Sequence, residues 1–170
     1  MDDDDWLQAL AGDGDAFARI FDRHKDRIRR HSYGLVESSA DAEDVVAVTF
    51  FEAWRSRSRV RLVHGSLLPW LLVTATNVAR NVSRSSRRYA LALSRLPPVT
   101  SVELASTDLA ATRALRGLSL DDQRVITLCV LYDFTAVEAA AVLGVAPGTV
   151  KSRLSRAKQR LALHLTPSTA

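Results

Sequence analysis

The chain has 170 residues, 47% of them hydrophobic, enough for one ordinary or two small packed domains and too apolar for a disordered chain. Seven Gly and five Pro are few for this length while Ala and Leu abound, which favours helices over a turn-rich β architecture. The net charge is only +4 but is unevenly spread: six aspartates lie among the first fifteen residues, and no acidic residue follows Glu138. Unopposed Lys and Arg neutralise phosphates and release counterions, so nucleic acid is the leading partner class and a membrane surface the weaker one.

Met1 followed by Asp2 to Asp5 is the reverse of a signal peptide, and no stretch approaches the roughly 20 apolar residues of a bilayer span, so a cytoplasmic protein without membrane insertion is expected. From Trp6 to Tyr33, Leu7, Leu10, Phe17, Ile20, Phe21 and Ile28 recur at helical spacing, broken at Gly12-Asp13-Gly14-Asp15, which predicts two helices with Asp15 as the second cap. Ser39 or Asp41 is the expected cap of a third helix running to Trp54, with Glu43 and Asp44 in its first turn. Its residues Val45, Val46, Ala47, Val48, Phe50, Phe51, Ala53 and Trp54 wrap apolar character around most of the helix, implying burial on more than one side.

Arg55, Arg57, Arg59 and Arg61 interrupt that pattern, and His64-Gly65-Ser66 reads as a loop tip. Pro69, at a favoured N1 position, starts a fourth helix expected to reach Arg84 or Arg88. Leu91 to Ser106, with Pro97-Pro98 and no clean periodicity, is the expected linker between two domains, residues 1–90 and 107–170. Further helix signals cover Leu109 to Leu115, Asp121 to Leu131 with Ser119 as cap, Thr135 to Leu143, and Pro147 to Leu163. Cys129 lies in an apolar run and reads as core, and Trp54 and Trp70 read as core anchors.

Thr135 to Val150 has the form of a helix-turn-helix, with small alanines where two helices cross and Gly144-Val145 as the turn. On a helical wheel Val150, Leu154, Ala157 and Leu161 share one side. Ser152, Ser155 and Gln159 lie opposite, flanked by Lys151, Arg153, Arg156, Lys158 and Arg160. Five positive charges without a carboxylate point to DNA rather than to a merely solvated face.

Leu143-Gly144-Val145-Ala146-Pro147-Gly148 followed by Thr149 to Ala157 resembles the end of region 4 in extracytoplasmic-function sigma factors of the sigma-70 family. Leu118 to Arg124 resembles the start of that region, with Ser119 where proline is usual. Gly14-Asp15-Ala16-Phe17-Ala18, the Asp41 to Trp54 segment, and Pro69 to Asn81 resemble region 2, so the likeness covers nearly the whole chain apart from linker and termini. The resemblance implies an all-α protein of two small helical domains that binds core RNA polymerase and directs promoter recognition and transcription initiation, with no catalysis and no cofactor.

By the same resemblance, Asp41, Asp44, Ala47, Val48 and Phe51 face the polymerase. Arg59, Arg61, Asn77, Arg80, Asn81 and Arg84 take the separated strand of the minus-ten element, and Lys151, Ser152, Arg153, Ser155 and Arg156 read the minus-thirty-five element. Ala47-Val48 departs from the polar residues usual there, so either the polymerase interface is more apolar or Ala47, Val48 and Phe51 serve another protein. An anti-sigma factor is an expected further partner, occluding the apolar third helix or the recognition helix.

Asp41, Glu43 and Asp44 lack a nearby His or partner motif, so a capped helix start explains them better than a metal site. His24, His31, His64 and His164 are scattered, and no phosphate loop, zinc spacing or Ser-His-Asp arrangement stands out. An operator-binding regulator and a pure protein adaptor are the rival readings. The region 2 resemblance argues against the first, and a steep salt dependence of DNA affinity separates the second, whose basic helix would be incidental.

Overall fold

The computed structural model describes residues 1–93 and 109–165. Of the expected linker, residues 91–106, only the first three are described, as the end of a helix. Among the described residues the regular structure is helical throughout: α1 (Asp3–Leu10), α2 (Gly14–Tyr33), α3 (Ser39–Arg55), α4 (Leu68–Leu93), α5 (Leu109–Gly117), α6 (Leu120–Ile126), α7 (Ala136–Leu143) and α8 (Pro147–Leu165).

The caps explain where several helices begin. Asp13, not Asp15, caps α2, because its Oδ1 accepts from the amides of Asp15 and Ala16 at 2.9 and 3.1 Å. Ser38 caps α3 by accepting from Asp41 N, which leaves Asp41 as the acidic residue of the first turn and puts Glu43 and Asp44 one turn on. The helix α4 starts at Leu68, so Pro69 sits at the second position, where its missing N–H is still harmless. It continues to Leu93, past the expected Arg84 or Arg88, since neither Gly nor Pro interrupts the chain before Pro97.

In the first half, α2 buries Ala16, Ile20, His24, Ile28 and His31, a stripe of helical period. It meets Val45, Val46, Phe50 and Ala53 of α3, and Leu71, Leu72, Ala75 and Ala79 of α4 complete the core. Phe17 and Phe21 meet Phe50 edge-on at 6.4 and 4.7 Å, and Phe17 lies 5.2 Å from Trp54. The apolar wrap of α3 thus divides in two. Val45, Val46 and Phe50 fill the core, while Ala47, Val48 and Phe51 are exposed, the last two at 41% and 61%.

In the second half, Ser119 caps α6 as expected, accepting from Asp122 N. The helix expected to run straight to Leu131 instead passes at Thr127–Leu131 into a π-helical turn, and Phe134 N–H then donates to Leu128 O at 2.9 Å. Thr135 and Glu138 form a capping box on α7, and Gly144 closes it with φ +66. Ala139 and Ala140 let α7 approach Val150 of α8, with Val125 and Leu128 beneath. Cys129 is half-buried there, and burial pushes its thiol pKa up, as suits a packing role.

The halves pack against each other. Leu115, Leu118, Ile126 and Ala157 join the core of the first half, and α4 carries the contact by lying against α6, α7 and the π turn.

Candidate nucleic-acid and polymerase interfaces

The sequence-derived candidates fall on four surfaces. On α8, Lys151, Ser152, Ser155 and Arg156 are exposed together, while Val150 and Ala157 anchor the opposite side. Arg153 belongs elsewhere: half-buried, its Nη1 lies 3.2 Å from Asp121 Oδ2. Arg160 likewise pairs with the buried carboxylate of Asp122. Two of the five basic residues therefore help to fasten α8 to α6, and Lys151, Arg156 and Lys158 remain as exposed charge. Asp121 and Asp122 are not legible as partners in the sequence, because their position after Ser119 is equally that of a helix first turn.

The segment between α3 and α4 forms the second surface. Arg57 stacks on Trp54 at 4.3 Å and donates to the Trp54 carbonyl, while Arg59 and Arg61 are exposed on either side of Val60, which is anchored in the core. Val63 and Ser66 exchange backbone hydrogen bonds of 3.1 and 3.0 Å around His64 and Gly65, whose φ values are +49 and +67. Two successive positive φ angles define a tight turn of the primed type, sterically costly at His64.

The third surface is one flank of α4. Asn81 and Arg84 are exposed, but Asn77 and Arg80 are engaged by the second half: Asn77 Oδ1 accepts from Arg124 Nε at 2.7 Å, and Arg80 Nη1 donates to Leu118 O at 3.0 Å. Nearby, Arg116 donates to Val36 O and His64 lies 3.0 Å from Glu138. Burial pulls the Arg116 guanidinium pKa down, a loss that Glu37 opposes, and its Nε has no partner among the described residues. His31 is buried beside this contact, with Nε2 3.0 Å from Thr76 Oγ1 and its ring edge-on to Tyr132 at 5.7 Å. Burial lowers its pKa to about 4, so it is neutral at pH 7.

The fourth surface is the outer side of α3, where Ala47, Val48 and Phe51 lie beyond the exposed Asp44. Asp41, at the start, is half-buried and accepts from Ser86 Oγ at 3.2 Å. Among the described residues no group of three or more His, Cys, Asp or Glu is arranged to hold a metal ion, and no helix is long and apolar enough to cross a membrane.

Comparison with known proteins matches residues 20–89 to Sigma-70 region 2 and residues 108–161 to Sigma-70, region 4. The chain is 30% identical over 156 residues to the RNA polymerase sigma factor CarQ of Myxococcus xanthus, covering 88% of this chain and 89% of that protein. It is also 30% identical over 164 residues to the ECF RNA polymerase sigma factor BldN of Streptomyces coelicolor, covering 91% of this chain but spanning only 62% of BldN. Among solved structures, CnrH in complex with the cytosolic domain of CnrY is similar over 99% of each chain, with a TM-score of 0.68 and 26% identity. The sigma factor RpoE of Bartonella quintana, solved with the anti-sigma factor NepR, is similar over 89% of this chain and 98% of that one, with a TM-score of 0.61 and 27% identity. With region 2 on α2–α4, region 4 on α5–α8 and sigma factors as relatives along nearly its full length, the chain belongs to the sigma-70 family as an RNA polymerase sigma factor of the ECF type, a transcription initiation factor that acts by binding and not by catalysis.

Proposed function

We propose the following division of labour within this sigma factor. Residues 1–90 form the domain that binds core RNA polymerase and the minus-ten element, residues 107–170 the domain that binds the minus-thirty-five element, and residues 91–106 join them. The polymerase face comprises Asp41, Asp44, Ala47, Val48 and Phe51, where an exposed apolar strip beside carboxylates suits a protein partner better than water. The separated minus-ten strand lies along Arg59, Arg61, Asn77, Arg80, Asn81 and Arg84. Lys151, Ser152, Ser155 and Arg156 enter the major groove, and Arg153, tied to Asp121, orients the helix beneath them.

The observation that carries this reading is the exposed face of α8. It presents two cations and two hydroxyls within its first turns, after a left-handed glycine turn, and the nearby carboxylates of Asp121 and Asp122 pair with Arg153 and Arg160 rather than with them. A bidentate Arg contact to guanine discriminates by about 1–3 kcal/mol, whereas a phosphate contact lowers affinity for all sequences alike. Core polymerase loaded with this protein should transcribe selectively from a subset of promoters. Arg156→Ala should change base preference in the minus-thirty-five element, while Lys158→Ala should lower affinity evenly and reduce the salt slope by about one. Equal sequence-neutral losses from both variants would defeat the base-reading role of Arg156.

The protein works in the cytoplasm, where its polymerase and promoter are, and an anti-sigma factor is its inhibitory partner. The likeness to RpoE, solved with the anti-sigma factor NepR, supports that second reading. Co-purification of a single inhibitor from uninduced cells, released on induction, tests it, and failure of any protein to co-purify would remove it.

A further inference from the structure

A residue that ties the loop between α3 and α4 to the rest of the first half lies far from it in the chain, before α1, and outside the matched region 2. Asp2 is 1% exposed. Its own N–H donates to Gly65 O at 2.7 Å, and its Oδ2 accepts from Leu67 N at 2.7 Å, so one residue holds the tight turn from both sides of Ser66. The same carboxylate is held from α2: His24 Nε2 lies 2.8 Å from Oδ2, and Arg23 Nη1 donates to Oδ1 at 2.5 Å while its Nη2 reaches Asp5 at 2.7 Å. Burial alone would raise the carboxyl pKa, but the bonds from His24, the Leu67 amide and Arg23 outweigh it and leave Asp2 ionised well below the usual carboxylate range.

The turn is shaped to receive this clamp. A Cβ on Gly65 would stand 2.2 Å from Asp3 Oδ2 and 2.6 Å from Met1 Cγ, so the first residues of the chain pack directly on the glycine. Positive φ at His64 persists only where surrounding contacts over-determine it; the Val63–Ser66 backbone pair and Glu138 hold His64 itself, and Asp2 fixes the following residues through Gly65 O and Leu67 N. Leu67 N–H is an orphan donor at the start of α4, so the clamp also sets where that helix begins. Arg59 and Arg61 project from the segment that leads into this turn.

We infer that Asp2 is a positioning residue for promoter recognition, fixing the His64-Gly65 turn and the start of α4 so that the loop and helix present one geometry to an unstacked base of the minus-ten strand. This rests on the assignment of that loop to the minus-ten strand made above. Holding a loop in a single productive geometry is what converts binding into discrimination, because a mobile loop accepts several bases equally.

The test uses the full-length protein assembled with core polymerase and a promoter pool randomised across the minus-ten element, with amide hydrogen exchange read on the same variants. In Asp2→Ala the Leu67 amide should exchange at least about tenfold faster and minus-ten base selection should flatten by a similar factor. Core affinity and minus-thirty-five binding should stay within about twofold, a separation that a general folding defect would not produce. Asp2→Asn, which keeps one carbonyl acceptor, should fall between the two. Unchanged exchange at Leu67 in Asp2→Ala overturns the clamp. Faster exchange with base selection intact overturns the positioning role if Arg61→Ala flattens selection. If Arg61→Ala also leaves selection intact, the loop's assignment to the minus-ten strand fails, and the inference fails with it.

Discussion

His31 shows how a single side chain can carry a pH dependence that its neighbours do not share. Thr76 Oγ1 donates to Leu72 O at 2.8 Å, so its lone pair is what His31 Nε2–H meets, and the ring is held neutral in the core. Its pKa falls from 6.5 to about 4 in the fold, so the unfolded chain takes up the proton first as pH drops. Stability is therefore full above 6.5 and declines by about 3 kcal/mol as pH falls to about 4. Asp2 has the opposite chemistry: its depressed pKa stabilises above its ordinary 3.8 and is lost only below that value, so the higher window belongs to His31. Denaturant titrations of His31→Gln from pH 7 to pH 4 should show a markedly flatter profile than the parent. At the same scale, Arg160→Ala leaves the buried Asp122 carboxylate without its guanidinium and should cost roughly 1 kcal/mol, whereas the exposed Arg156→Ala should leave the melting temperature unchanged.

The α7–turn–α8 element depends on three local devices: the Thr135–Glu138 capping box, the left-handed Gly144 and the Val145 N–H to Ala140 O bond of 3.2 Å. A Cβ at Gly144 would meet nothing within 4 Å, so the cost of a side chain there is purely the backbone conformation. Gly144→Ala should destabilise the protein by about 1–2 kcal/mol, and Gly144→Asn by less, because Asn tolerates the left-handed region. Paired denaturation curves would check the order, and equal losses from Ala and Asn would show that the left-handed φ is not what limits the position. The α3 helix was legible to the same depth from its apolar pattern, yet the pattern could not say which residues were core. That division follows from α2 and α4 both packing on the side of Val45, Val46 and Phe50.

Across the whole molecule, the second half lies on part of the flank proposed for the minus-ten strand. While Arg124 and Leu118 O hold them, Asn77 Oδ1 and Arg80 Nη1 are not free to meet DNA. The contact is also imperfect, since it burdens the Arg116 guanidinium and leaves its Nε unpaired among the described residues, so a favourable partner can open it. Removing the Arg124–Asn77 bond by Arg124→Ala should shift the chain toward an open form. Labels on α4 and α6 should then move apart in fluorescence transfer, and affinity for a single-stranded minus-ten oligonucleotide should rise several-fold, by the roughly 1 kcal/mol such a bond contributes. Unchanged label distance and affinity would mean that the halves do not compete with DNA.

The sequence by itself determined the helical class, the order of the elements, the helix-turn-helix and the face of α8 that carries Lys151, Ser152, Ser155 and Arg156. Each depends on spacing along one helix or on a cap within a few residues, information that is local in the chain. Only the tertiary structure decided that Arg153 and Arg160 turn toward Asp121 and Asp122, that Asn77 and Arg80 are covered, and that Asp2 grips a turn sixty-odd residues away. A charge in sequence is compatible with solvent, phosphate or a carboxylate alike. Which of these it meets is set by desolvation and by the packing of helices that no periodicity relates, so the pairing of long-range charges becomes visible only once the helices are in contact.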